Sequence, residues 1–305
     1  MRKWISLLGL LLTGSFAVGQ TYSLQIGNVT WVGSPGGYNC FNNTAYPNTV
    51  NFTITKLTYG SSTYAVTAGP SANTGNYTRQ LASGGNRLNY QLYTSSAMSY
   101  VLEAPPTANA NQVISGTSTA RPGTVMPLSF TFYIPPNQLV APGTYSDQIT
   151  MSIYRSYNDN GSPQATATIL FSATVASGAI LCLVPTGSSF NSGSTSQTLN
   201  FGTLAQGQSL SCDLLVLKNT SCTVTFNSAN LGVLKMTPAT SDQIPYTCTV
   251  NGTALNLATT ATLSLPTGVS TGNGTRLPIN ITIGNLGFPA AGNYSDTITV
   301  TVTVP

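Results

Sequence analysis

One stretch that occurs twice constrains the fold of this chain more than any other. The first copy is Ala141–Tyr154 (APGTYSDQITMSIY), and the second is Ala290–Val302 (AAGNYSDTITVTV). Each copy is a glycine turn followed by Tyr-Ser-Asp and then by alternating apolar and small polar residues. This pattern is typical of a β-strand with one buried face. Tyr145 and Tyr294 stand where sandwich domains often have a tyrosine corner.

Strand patterns run through both halves, whereas helix patterns are nearly absent. In the first half we predict strands near 22–32, 50–57, 63–67, 87–93, 128–134, 146–154 and 165–174. In the second half we predict them near 199–201, 209–217, 222–228, 244–250, 276–283 and 295–304. Short alternating runs bounded by Gly, Pro, Asn and Ser predict an all-β fold of the sandwich type.

The two halves align as a repeat as long as a whole domain. Leu88–Tyr93 (LNYQLY) aligns with Pro245–Val250 (PYTCTV), about Tyr90 and Tyr246. A linker of small residues at Val175–Ala179 separates the halves. We therefore predict two tandem β-sandwich domains of ordinary size, at 20–177 and 178–305.

The first nineteen residues have the composition of a secretory signal peptide. Arg2 and Lys3 precede the apolar run Ile5–Leu12, and Ala17–Gly19 offers small residues for cleavage. No later stretch approaches the roughly 20 apolar residues of a membrane span. We expect a soluble, exported mature chain beginning at Gln20.

The low charge of the chain argues against several classes of partner. Charged residues make up 5% of the sequence, and removing Arg2 and Lys3 lowers the formal net charge from +4 to +2. This small excess gives no reason to expect nucleic acid as a partner. A weakly charged surface resists association poorly, which suits a protein that ends up inside an assembly.

The cysteines are unevenly distributed. Cys40 stands alone in the first half, whereas Cys182, Cys212, Cys222 and Cys248 lie in the second. Because the chain has no histidine and no Cys-x-x-Cys spacing, we expect neither a metal site nor another cofactor. In an exported protein four clustered cysteines favour two disulfides. Of the three connectivities we prefer Cys182–Cys212 and Cys222–Cys248, because the second pair would join strands that we predict to be neighbours. Cys40 is expected to be a buried thiol.

Catalytic groups are scarce, and we predict that the protein is not an enzyme. No nucleophile has a plausible base. The carboxylates are few: Glu103, Asp147, Asp159, Asp213, Asp242 and Asp296. Asp147 and Asp296 follow the corner tyrosines in both copies, so we expect them to cap turns rather than to act as acids.

The two halves end differently. The strand at 146–154 is followed by the loop Arg155–Pro163 and one more strand at 165–174, whereas nothing follows the strand at 295–304. We therefore predict that the second sandwich lacks its last strand and exposes an edge that accepts a strand from another chain. The residues predicted to form this acceptor edge are Tyr294, Ile298, Val300, Val302 and Val304.

Several motifs resemble the spore coat protein U domain, the module of pilins secreted by the archaic (alternative) chaperone–usher pathway. In the second half the motifs are Cys182, Asn200–Leu204 (NFGTL), Phe226–Leu234 (FNSANLGVL), Ile244–Tyr246, Asn251-Gly252 and Ala291–Asp296. The first half carries a weaker set: Arg79–Leu81, Leu88–Tyr93, Ile114–Gly116 and Ala141–Tyr154. Two such domains behind one signal peptide resemble the two-domain tip adhesin of these pili.

The resemblance implies an immunoglobulin-like fold lacking its last strand in the second domain. A periplasmic chaperone first fills the gap, and an N-terminal extension of the neighbouring pilin subunit then replaces it after export through an outer-membrane usher. The protein would reach the cell surface as part of a pilus, for adhesion and biofilm formation. We read Tyr22–Ile26 as the first domain's own strand, although its alternation would also suit a donor strand and hence a shaft or adaptor subunit.

Adhesion to an abiotic or host surface would require exposed loops on the first domain. With the linker leaving one pole, the loops at the opposite pole include Tyr59–Ser62 and Arg155–Asn160. Two further loops, Ala97–Val101 and Val125–Pro127, stand out because they are apolar. The candidate adhesive residues are Tyr59, Met98, Tyr100, Val101, Val125, Met126 and Tyr157. The alternative for Met98, Tyr100, Val101 and Met126 is that they belong to strands and the core, and Trp31, Tyr38 and Phe41 form a third candidate cluster.

Two other functions are consistent with the sequence. The same domains could serve as cross-linked blocks of a spore coat or an extracellular matrix. The chain could also be a pair of carbohydrate-binding modules, which would need a platform of aromatic side chains on one face.

Overall fold

The computed structural model describes residues 20–32, 37–237 and 242–305. The expected signal peptide at 1–19 lies outside the described residues. All regular secondary structure in the described part of the chain is β-strand, so the all-β prediction is confirmed. None of these residues belongs to a helix that could cross a membrane.

The chain divides into two compact units between Ala176 and Ser177. Unit 1 contains the strands β1 (Tyr22–Gln25), β2 (Val29–Thr30), β3 (Asn48–Lys56), β4 (Ser62–Ala68), β5 (Gln80–Ser83), β6 (Asn86–Asn89), β7 (Gln91–Tyr93), β8 (Ile114–Ser118), β9 (Val125–Tyr133), β10 (Gly143–Tyr154) and β11 (Ala165–Val175). One sheet has the order β1-β3-β9-β7, and the other has the order β2-β11-β10-β4-β8, with the β5–β6 hairpin beside β10.

Alternating side chains of the two unit 1 sheets meet in one apolar core. Phe52 and Phe130 of the first sheet and Phe171 of the second are at most 4% exposed. Their rings pack as tilted pairs with centroids about 6 Å apart, namely 5.9 Å for Phe52–Phe130 and 6.1 Å for Phe130–Phe171. Such aromatic pairs bury large areas and favour tilted or edge contacts. Unit 1 is therefore a β-sandwich with an aromatic centre.

Unit 2 is a second sandwich with its own core. Its strands are β12 (Ala179–Pro185), β13 (Ser209–Lys218), β14 (Cys222–Ser228), β15 (Val233–Thr237), β16 (Gln243–Val250), β17 (Thr253–Leu255), β18 (Ala261–Leu265), β19 (Thr275–Ile283), β20 (Asn293–Ser295) and β21 (Ile298–Thr303). The larger sheet has the order β12-β13-β19-β16-β15-β20, with β17 on β16, and the smaller sheet has the order β18-β14-β21. Aliphatic residues dominate the core, among them Leu214, Val224, Ile279 and Ile281.

The expected disulfides are wrong, because the strands do not bring the paired cysteines together. Cys182 lies opposite Leu215 in the β12–β13 ladder, and Cys212 lies opposite Pro185. This odd register offset puts Cys182 and Cys212 on opposite faces of the sheet, in separate apolar clusters. The distances that a disulfide needs cannot be reached across a sheet.

The premise for the second disulfide also fails. Cys222 lies on β14, which pairs with β18 and β21, whereas Cys248 lies on β16, which pairs with β15, β17 and β19. These strands are therefore not neighbours in one sheet. Cys222 and Cys248 are buried thiols, as is Cys40 in unit 1. Burial, followed by the nearby Cys212, raises the pKa of Cys248 to about 11.

Candidate strand-acceptor edge

The duplicated Tyr-Ser-Asp stretch occupies the same place in both sandwiches. Each stretch begins with a tyrosine corner, in which the Tyr145 hydroxyl donates to the Ala141 carbonyl (2.7 Å) and the Tyr294 hydroxyl donates to the Ala290 carbonyl (2.9 Å). In unit 1 the stretch forms β10 without interruption, and in unit 2 it forms β20 and β21 in succession. The expected tyrosine corners are present in both copies.

An aspartate follows each corner and binds a tyrosine of the same sandwich; Asp147 is buried and Asp296 is partly buried. The Tyr90 hydroxyl donates to Asp147 (2.7 Å), and the Tyr246 hydroxyl donates to Asp296 (2.6 Å). Burial is the largest cause of the raised pKa of both tyrosines, and their aspartate partners raise it further. Both aspartates therefore bind a tyrosine that is distant in the sequence. This contact adds to the turn-capping role expected from the sequence.

The same aspartates also accept backbone amides, as predicted for capping groups. Asp147 accepts from the amides of Gln148 (2.8 Å) and Asn73 (3.2 Å). In unit 2 Asp296 accepts from the amides of Thr297 (2.7 Å) and Asn230 (3.0 Å). Hydrogen bonds to a charged acceptor contribute more than neutral ones, so these contacts hold the start of each strand firmly.

A second repeated motif supports each aspartate, and the sequence reasoning missed its copy in unit 1. Ser-Ala-Asn occurs at 71–73 and at 228–230, followed in both places by one residue and a glycine. The Asn73 side-chain amide donates to the Ser146 carbonyl (2.9 Å), and the Asn230 side-chain amide donates to the Ser295 carbonyl (2.9 Å). Aligning these two triplets would have revealed the contact with the Tyr-Ser-Asp stretch.

The two copies differ at their outer edge. In unit 1, β11 pairs antiparallel with β10 from Gly143↔Val175 to Ile153↔Ala165. β21 pairs with β14 on one side, and among the described residues no strand pairs with its other side. β21 is therefore an open edge at the position that β11 closes in unit 1.

The inward side chains of the two strands differ in burial. Tyr145, Ile149, Met151 and Ile153 of β10 are completely buried, each with 0% exposure. The residues at the matching positions of unit 2 pack against its core but are only partly buried: Tyr294, Ile298, Val300 and Val302. Val304, the fifth residue of the predicted acceptor edge, has the same partial burial. The open edge thus leaves apolar surface uncovered.

A cavity of about 310 Å³ lies at the end of the smaller sheet of unit 2. Cys222 and Leu265 from β14 and β18 line it, together with Val304 and Pro305 beyond β21. Ser and Thr side chains also line it (Ser221, Thr223, Ser264 and Thr303), so the end of the open edge is of mixed polarity.

Three of the candidate adhesive segments lie at the pole of unit 1 where β10 ends, although the predicted loop Val125–Pro127 forms the start of β9. The Lys56 amide donates to the Thr124 carbonyl (3.0 Å), which brings the turn of Tyr59 beside the segment that precedes Val125. The Thr63 hydroxyl donates to the Arg155 carbonyl (2.7 Å), at the start of the hairpin that contains Tyr157. These segments expose their large side chains: Tyr59 84%, Val125 53% and Tyr157 39%.

The other candidate residues differ in exposure. Tyr100 is exposed, whereas Met98, Met126 and Val101 are partly buried. Val101 forms a bridge with Tyr93, and Met126 packs against the core. Trp31 and Tyr38 are buried and pack edge to face (5.8 Å), as the core interpretation of that cluster predicts.

A match to a known family covers most of unit 1. Residues 21–152 match the Spore Coat Protein U domain. The match falls on the half of the chain in which the sequence resemblance is weaker, rather than on the half in which we expected it to be more specific.

Solved structures of pilus subunits are similar to the whole chain at low identity. A chain of the CsuC–CsuE chaperone–tip adhesion subunit complex from the archaic Csu pili of Acinetobacter baumannii is 16% identical, with a TM-score of 0.45, and the match covers 92% of this chain and 100% of that one. The CupB6 tip adhesin of Pseudomonas aeruginosa is 11% identical, with a TM-score of 0.36 and coverage of 92% and 94%. The adhesive subunit CfaE of enterotoxigenic Escherichia coli is 14% identical, with a TM-score of 0.35 and coverage of 94% and 84%. No curated protein matches the chain by sequence.

The matched positions Ile149 and Ile298 provide a test of the open edge. We expect Ile149→Ala to destabilise unit 1 by about 2–5 kcal/mol, the usual cost for a fully buried isoleucine. Ile298→Ala should cost unit 2 less than half as much, because part of that side chain already contacts water. Chemical denaturation of the full chain, followed separately for the two units, measures both values. Equal losses would mean that β21 is as well covered as β10.

Proposed function

We propose that this protein is a surface pilus subunit, the tip adhesin of an archaic chaperone–usher pilus. Unit 2 accepts a strand from the next subunit, and unit 1 contacts a surface through its exposed loops. The observation that carries this proposal is the contrast between β10, closed by β11, and β21, which has an open edge and partly exposed apolar side chains.

An open edge of this kind needs a partner. Unpaired backbone groups along an edge strand form a template for another strand, and the uncovered apolar side chains add a hydrophobic contribution. Before assembly a periplasmic chaperone would occupy the edge, and export through an outer-membrane usher would precede its replacement by the neighbouring subunit. The protein would thus pass through the periplasm to the cell surface.

The state of β1 supports the tip position over a shaft or adaptor position. β1 pairs antiparallel with β3 from Tyr22↔Lys56 to Gln25↔Thr53. Tyr22 is completely buried, and its hydroxyl donates to the Ser62 carbonyl (2.9 Å). A strand held in this way is part of the unit 1 core, so the segment that resembles a donor strand is already used within its own domain.

The exposed side chains at the pole where β10 ends support surface contact. Tyr59 and Tyr157 present apolar groups on loops, and Val125 presents one at the start of β9, in a chain with few charges. Apolar side chains that lose contact with water on a surface each contribute favourably, so we propose adhesion to surfaces that are themselves apolar.

Co-expression with a periplasmic chaperone of an archaic pilus tests the acceptor edge. We expect the full chain to co-purify with the chaperone, and Val300→Asp to abolish the complex, because a charge would be placed on the core face of β21. Thr301→Asp is the matched control, since the Thr301 side chain is exposed on the same strand. Equal loss for both variants, or a complex that survives Val300→Asp, would contradict the proposal.

Retention on polystyrene tests the adhesive loops. Replacing both Tyr59 and Val125 by serine should lower the retained protein roughly tenfold or more, because each buried apolar side chain contributes about 1.5–3 kcal/mol. Phe288→Ser is the control, since Phe288 is a fully exposed aromatic residue in unit 2. If Phe288→Ser lowers retention as strongly, apolar exposure in general, rather than these loops, is responsible.

A further inference from the structure

In unit 1, β11 pairs with the outer edge of β10, and its inward side chains show what a strand at this position buries. β11 places Phe171 opposite Asp147, and this phenylalanine is completely buried. Its ring lies 5.3 Å from the ring of Phe132, 6.1 Å from Phe130 and 6.2 Å from Tyr90. The largest inward side chain of β11 therefore sits beside the Tyr90–Asp147 hydrogen bond.

Smaller inward side chains surround this phenylalanine along β11. Ala173 lies opposite Tyr145, which leaves room for the corner tyrosine. Ile169 lies opposite Ile149, and both are nearly or completely buried. The order of sizes along the strand thus follows the shape of the core that it covers.

Unit 2 has a corresponding site, here called the seat, formed by Tyr246, Asp296 and the isoleucines beside them, and no strand of the described residues pairs with the edge of β21 next to it. The Tyr246–Asp296 hydrogen bond corresponds to Tyr90–Asp147, and Tyr246 pairs with Ile283 of β19. Ile283 precedes Tyr294 by the same interval as Ile134 precedes Tyr145. Two residues and four residues before these isoleucines stand Phe132 and Phe130 in unit 1, but Ile281 and Ile279 in unit 2.

The unit 2 seat is less covered than its counterpart. Tyr246, Ile279 and Ile281 are 8%, 6% and 6% exposed, whereas Tyr90, Phe130 and Phe132 are 3%, 1% and 0% exposed. Two isoleucines in place of two phenylalanines also make the wall of the seat smaller. Because isoleucine is smaller than phenylalanine, close packing of this site favours a large side chain from an added strand.

We propose that unit 2 selects a strand that carries a large aromatic side chain facing Asp296. This strand runs antiparallel to β21, with a branched aliphatic residue facing Ile298 and a small residue facing Tyr294. The inference rests on the proposed function, since it specifies the partner of the same edge. The sequence of β11, Ala165–Val175 (ATATILFSATV), meets these requirements, although β11 itself is engaged in unit 1.

Fusions to the full chain test this selection. Val302 matches Ile153, so Pro305 matches Ser156, and a copy of residues 157–175 placed after Pro305 supplies both the natural hairpin loop and the strand. We expect this fusion to raise the unfolding temperature of unit 2 by roughly 10 °C or more, while unit 1 serves as an internal reference. Replacing the copied Phe171 by alanine should remove at least half of the shift.

Two controls separate the inference from the proposed function. Replacing the copied Leu170 by alanine should leave the rise in unfolding temperature intact, because the original Leu170 is exposed on the outer side of β11. A fusion of the same length with a plain alternating Thr-Val strand shows whether any strand is accepted. If no fusion stabilises unit 2, both the acceptor function and the inference are overturned. If the Thr-Val strand or the alanine variant stabilises it as well as the original copy does, the function stands and the aromatic selection is wrong.

Discussion

The pairing of β10 with β11 is the interaction on which the first sandwich depends. The ladder extends along the length of β11, and it covers four inward side chains of β10 so completely that none contacts water. β21 has a similar strand-forming sequence and the same tyrosine corner, but no described strand pairs with its outer edge. Among the described residues, the same kind of strand is thus paired on both sides in unit 1 and on one side only in unit 2.

Hydrogen bonds nevertheless hold the start of the open-edged strand β21 in place. The Tyr294 corner, the Tyr246–Asp296 hydrogen bond and the amide of Asn230 position the start of β21 before any partner arrives. Ser228 adds a hydroxyl that donates to Asp296 (2.6 Å). Because the strand is prepositioned, an incoming strand would order fewer groups on binding, which lowers the entropic cost of association.

Sequence reasoning predicted much of this arrangement, because alternation identifies strands and the corner motif identifies equivalent ones. It failed where a predicted strand or disulfide depends on which segments of the chain pair with each other. Leu199–Phe201 alternates like a strand but lies in an irregular segment whose Phe201 carbonyl accepts from the Gln208 side chain (2.8 Å). β12 was missed because its run Ala179–Pro185 begins in the expected linker, and the disulfides were wrong because spacing does not reveal which face of a sheet a cysteine occupies. The inward residues of the open edge were predictable from their alternation, whereas the site beside Asp296 depends on a hydrogen bond with the distant Tyr246.

Backbone hydrogen exchange of the purified full chain tests the central claim most directly. If β21 is an open edge, the amides on its uncovered side exchange rapidly, whereas the matching amides of β10 that face β11 exchange slowly, because exchange requires a hydrogen bond to open. Adding a complementing strand should slow the β21 amides and leave those of β10 unchanged. Equal protection of both strands in the uncomplemented chain would contradict the account.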